Sequence, residues 1–160
     1  MAGKDDFSVE EWDLLRQAPL MASLMIVAAS PSGPLGLAKE FSAAGHVILE
    51  AAEKAKTPLV QAVSQDLKEV VSWPRVQEGS DPGRVQDLAL NALKRAATVL
   101  RAKATPEEAG EFKQWLTAIA QQTAEAAKEG GFLGAGGVLV SDQEMTALAA
   151  IRSVLNGRAA

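Results

Sequence analysis

Apolar positions recur at helical spacing along most of this chain, and no stretch alternates convincingly with a period of two. The clearest stripe is Phe112, Trp115, Leu116, Ile119, Thr123 and Ala126, and a second runs through Met145, Leu148, Ile151 and Leu155. Pro19 to Ala29 is apolar on every side, which predicts a helix placed centrally. Val138-Leu139-Val140 is the one short piece with extended character, too short to make a sheet. The pattern predicts an all-α fold: a single domain over residues 1–160, built as a bundle of about seven helices. The expected helices are Ser8–Gln17, Pro19–Ala29, Leu35–Lys54, Pro58–Ser72, Pro82–Lys103, Pro106–Glu129 and Asp142–Asn156. A polar, loose linker falls near residues 74–83.

The boundaries rest on capping chemistry. Ser8-Val9-Glu10-Glu11, Thr105-Pro106-Glu107-Glu108 and Ser141-Asp142-Gln143-Glu144 each place a hydroxyl three residues before a glutamate. The hydroxyl accepts from the glutamate's amide while the glutamate reaches back to the cap's own amide. Thr57-Pro58 and Asp81-Pro82 are cap-plus-proline starts. Stops are expected at Trp73-Pro74, Gly130-Gly131 and Asn156-Gly157.

Two regions share one plan. Ile26 to Ala29 leads through Ser30-Pro31-Ser32-Gly33-Pro34-Leu35-Gly36 to Lys39-Glu40-Phe41 and an apolar helix. Ala124 to Ala127 leads through Gly130-Gly131-Phe132-Leu133-Gly134-Ala135-Gly136-Gly137 to Gln143-Glu144-Met145 and another. A pseudo-duplicated helical hairpin explains this plan, and so does chance likeness between two Ala-rich hairpins. On these residues the chain is similar to the TerB-like domains of bacterial tellurite-resistance and stress systems. The resemblance covers Ala22 to Ala52 and Thr123 to Leu155, and implies an all-helical, pseudo-duplicated, stress-associated bacterial module. Glu40 and Glu144 fall where that family carries its glutamates. Ser32-Gly33 and Gly130-Gly131 stand where the family has turn aspartates, which removes ligands from the metal binding the resemblance would imply.

Composition narrows the chemistry. Sixteen Lys and Arg against 20 Asp and Glu give a net charge of −4, which argues against non-specific nucleic-acid binding. The absence of cysteine excludes disulfides, thiolate nucleophiles and iron–sulfur clusters. A single histidine excludes His-rich metal cages. Acids open the N-terminus where a signal peptide would need a basic start. The uncharged run from Gln17 to Ala38 is interrupted by Pro31-Ser32-Gly33-Pro34, so no membrane span is expected. The expected location is cytoplasmic.

The most unusual feature is the Gly-rich loop 130–137. As a binding loop it would present Phe132 and Leu133 as apolar anchors, with Gly134, Gly136 and Gly137 permitting close approach and Glu40 and Glu144 steering or capping. The plainer alternative is a structural connector with Phe132 and Leu133 in the core. His46 and Glu50 share a helical face and are the weak metal candidates, with Glu40, Glu53 or Asp66 needed to complete a shell. A surface His–Glu hydrogen bond is the commoner outcome. Glu10-Glu11 and Glu107-Glu108 are explained by caps and the helix dipole. Trp12, Trp73 and Trp115, with Met21 and Met25, read as core more readily than as a ligand pocket. Lys94, Arg95, Arg101, Lys103 and Arg84 form a modest basic stripe that either is solvated or meets acidic partners. The resulting expectation is a non-enzymatic interaction module without a cofactor, binding a protein partner or itself through loop 130–137. The alternative is a helical bundle that binds a small ligand or a divalent metal.

Overall fold

In the computed structural model, residues 1–30, 45–46, 48–50, 53–68, 80–129 and 140–157 are described. Among the described residues a 3₁₀ turn at Lys4–Asp6 precedes five α-helices with defined bounds: α1 (Val9–Ala29), α2 (Pro58–Lys68), α3 (Pro82–Lys103), α4 (Pro106–Glu129) and α5 (Asp142–Leu155). Gly45, His46, Ile48, Leu49, Glu50 and Glu53 also have helical backbone, within the range expected to be helical. Among the described residues there is no strand, and no helix is long and apolar enough to cross a membrane.

The helix ends follow the capping chemistry. The Ser8 hydroxyl accepts from the Glu11 amide at 3.2 Å, and Glu11 accepts from the Ser8 amide at 2.7 Å. Thr105 and Glu108 make the same reciprocal pair at 3.3 and 3.0 Å, as do Ser141 and Glu144 at 3.2 and 2.8 Å. Asp81 caps α3 through the Gly83 amide, with Pro82 in the first turn. Gly157 closes α5 at φ +75°, a left-handed conformation that suits glycine.

The first two expected helices are one. Proline at position 19 pointed to a break after Gln17, yet α1 runs through it. The ring removes one amide donor and crowds the Leu15 carbonyl, a defect of about 3 kcal/mol in a helix interior. Against it stand Leu20, Met21, Leu24, Met25 and Ile26, all buried beyond the proline. Each such side chain gains roughly 1.5–3 kcal/mol on burial, so packing outweighs the local defect. Pro19→Ala is expected to raise the unfolding free energy by about 1–2 kcal/mol, as the restored helix bond exceeds the lost ring packing and unfolded-state stiffness. Urea unfolding tests this, and a loss of stability would mean that the packing needs the proline ring.

α1 touches every other helix named above and packs most extensively on α3, then on α4. The directions follow from the ties. The Ala2 amide donates to Glu108 near the start of α4, and Thr123 reaches Ser23 further along, so α4 runs with α1. Gln86 donates to the Ala28 carbonyl and Lys103 to Glu11, so α3 runs against α1. Arg101, near the end of α3, lies against Gly157 just past the end of α5, which therefore runs with α3. Leu15, Ile26, Leu93, Leu100, Phe112, Leu116, Ile119 and Ile151 are fully enclosed between these helices.

Candidate functional site

Most of the well-placed carboxylates are committed to holding the fold. Glu108 is completely buried; one oxygen accepts from the Ala2 amide at 2.9 Å, the other from the Thr105 amide and hydroxyl at 3.0 and 2.9 Å. Burial pushes its carboxyl up, but the Thr105 donors and the Ala2 amide outweigh burial and hold it below the ordinary range. Glu111, one turn on, accepts from the Lys56 amide at 2.6 Å, the Thr57 amide at 2.7 Å and the Thr57 hydroxyl, and so caps α2 from α4. Burial again opposes ionisation there, and the Thr57 and Lys56 donors more than offset it. Asp66 accepts from Lys4 and from the Trp12 indole at 2.6 and 2.7 Å, and these donors lower its pKa.

These ties decide several sequence expectations. Glu144 is buried, and its carboxylate is taken by the Ser141 amide and hydroxyl. Phe132, Leu133, Gly134, Gly136, Gly137 and Glu40 lie outside the described residues, as do Trp73 and the 74–79 part of the linker. His46 is exposed, and Glu50 pairs at 2.9 Å with Lys54, which is the main influence lowering its pKa. Asp66, one of the groups needed to complete a metal shell, is engaged by Lys4 and Trp12. Among the described residues no cluster of three or more His, Asp or Glu is placed to hold a metal ion. Trp12, Trp115, Met21 and Met25 are core. Lys103 leaves the basic stripe: it bridges Glu11 at 2.6 Å and the Asp6 carbonyl at 3.1 Å, and stands over the Phe7 ring.

Arg101 belongs to a different arrangement. An open groove of about 870 Å³ runs between the C-terminal ends of α3 and α5 and the stretch of α4 from Pro106 to Gln121. Arg101 from α3, Lys113 from α4 and Arg152 from α5 line it, and among the described residues no acid does. The Arg101 guanidinium donates to Thr98 at 3.0 Å, and Arg152 reaches Gln121 at 3.5 Å. Among the described residues none of these three cations pairs with a carboxylate. Between them the walls mix apolar residues, among them Ala104, Pro106 and Ala118, with the polar Gln114, Thr117, Gln121 and Asn156. Among the described residues the groove thus carries three positive charges and no negative one, on a chain whose net charge is −4.

Sequence reasoning singled out Arg101 but not Lys113 or Arg152. The three come from separate helices, and no local spacing links them. What they can do together is bind an anion: guanidinium and ammonium groups donate hydrogen bonds to carboxylates, and neither acts as a base while charged.

No protein-family model, curated protein or solved structure matches this chain.

Proposed function

We propose that this chain is a non-enzymatic, cytoplasmic protein-interaction module: a single-domain helical bundle that docks a protein partner or a second copy of itself. The observation that supports this reading most is the groove between α3, α4 and α5, open to solvent and lined by cations left without carboxylate partners among the described residues. The commitment of Glu108, Glu111, Glu144 and Asp66 to structural hydrogen bonds supports it as well, because it takes those four carboxylates from any acid–base role. The Gly-rich loop 130–137, with Phe132 and Leu133, is a second docking element in this proposal, resting on the sequence pattern alone. A stress-associated role of the TerB-like kind rests on the two hairpin patterns. Of their early-helix glutamates, Glu144 serves its own helix cap.

The test is affinity capture from native lysate together with light scattering. Wild type is run beside a Phe132→Ser, Leu133→Ser variant and an Arg101→Glu, Arg152→Glu variant, each checked for helicity by circular dichroism. The expected result is a specific protein, or a dimer, that wild type forms and at least one folded variant loses. A monomer that retains nothing beyond what both variants retain would overturn the proposal.

A further inference from the structure

A glycine inside a helix carries a cost of roughly 0.5–1 kcal/mol against alanine, so its presence calls for a reason. Gly110 lies in the second turn of α4. A Cβ built there would meet nothing within 4 Å. No described neighbour needs the missing side chain, and Gly110 lines the groove. The space it leaves is therefore available to something approaching from outside. Around it stand Arg101, Lys113 and Arg152, with the solvent-reachable apolar surface supplied by Ala104, Pro106 and Ala118. Apolar patches at Ala104, Pro106 and Ala118, flanked by cations that pair with no carboxylate among the described residues, complement a segment that is apolar on one face and acidic along its edges.

We infer that the groove between α3, α4 and α5 binds an acidic amphipathic peptide segment of a protein partner, its backbone passing over Gly110 and its carboxylates meeting Arg101, Lys113 and Arg152. This rests on the interaction reading above and names the chemistry of the partner. A short helix or extended segment fits better than a fully enclosed ligand, because the groove is open to solvent. The overall negative charge of the chain would repel an acidic partner elsewhere, so the cationic patch also selects where such a segment lands.

The probe is a fluorescein-labelled synthetic peptide with Leu at helical spacing and Glu between, beside its Gln-for-Glu counterpart, read by fluorescence anisotropy. Wild type is expected to bind the Glu peptide and not the Gln peptide, with affinity falling as sodium chloride rises from about 0.05 to about 0.5 M. Arg101→Glu, Lys113→Glu and Arg152→Glu together should weaken binding at least about tenfold. Lys94→Glu with Arg95→Glu, on the same helix but not lining the groove, should leave it unchanged. Gly110→Ala should melt at a higher temperature, and Gly110→Leu should stay folded while losing the peptide. The leucine variant separates occupancy of the groove from loss of charge. Equal binding of the two peptides, salt-independent binding, or full binding by Gly110→Leu overturns the inference. So does a salt-sensitive dimer that the groove variants disperse with no peptide bound, which would assign the groove to a second copy. The capture experiment still judges the interaction reading separately, since it also carries the loop variant and uses no peptide.

Discussion

Phe112→Ala is expected to lower the unfolding free energy by about 3–5 kcal/mol, the range for emptying a fully enclosed phenylalanine site. The ring is completely buried and meets Trp115 edge-on, at 5.3 Å between centroids and 90° between planes. Truncation removes the area burial, the edge contact and the support for a tryptophan that is itself 4% exposed. Among the described residues the buried Trp115 indole nitrogen has no hydrogen-bond partner, so none of them tethers that side chain as the cavity relaxes. Phe112→Leu keeps most of the volume and should cost less than about 2 kcal/mol. Urea unfolding followed by circular dichroism measures both. A loss under about 1 kcal/mol for the alanine variant would mean that the helices close over the site.

Glu108→Ala is the second large effect, expected near 2–4 kcal/mol, because it strands the buried Ala2 amide and both Thr105 donors at once. The same carboxylate gives stability a pH dependence. Its folded pKa lies below 4.5, the ordinary value, so the folded state binds the proton less well than the unfolded chain. Its contribution is therefore present in full above the unfolded pKa and is lost as pH falls through the folded one. Glu111 and Asp66 shift in the same direction and steepen the acid limb. Glu108→Gln should start less stable near neutral pH and lose less between about pH 5 and pH 3. Unfolding midpoints across that range decide it; parallel curves for wild type and the glutamine variant would show that Glu108 does not titrate with unfolding.

The caps were legible because they are local. A hydroxyl and a glutamate three residues apart close a helix start with no help from the rest of the chain, and Ser8, Thr105 and Ser141 all do so. Pro19 shows the limit of such rules. Its neighbourhood argued for a break, and burial against α3 and α4 overrode it. His46 and Glu50 show another limit. Helical spacing places Glu50 one turn from both His46 and Lys54, and the ammonium takes it. The groove was illegible for a third reason: its cations and its glycine belong to three helices and become one surface only once those helices pack. The Gly-rich loop remains a feature of the sequence, since residues 130–139 lie outside those described.

The described part of α2 covers the 11 residues Pro58–Lys68. The amides of Lys56 and Thr57, at its entrance, are satisfied by Glu111 of α4. The next turn back along α4 holds Glu108, whose free oxygen secures Ala2. The opening turns of α4 are thus a shared anchorage for two segments remote in the chain. Fraying of those turns would release the N-terminal segment and the start of α2 together, so the three behave as one cooperative unit rather than as separately melting ends.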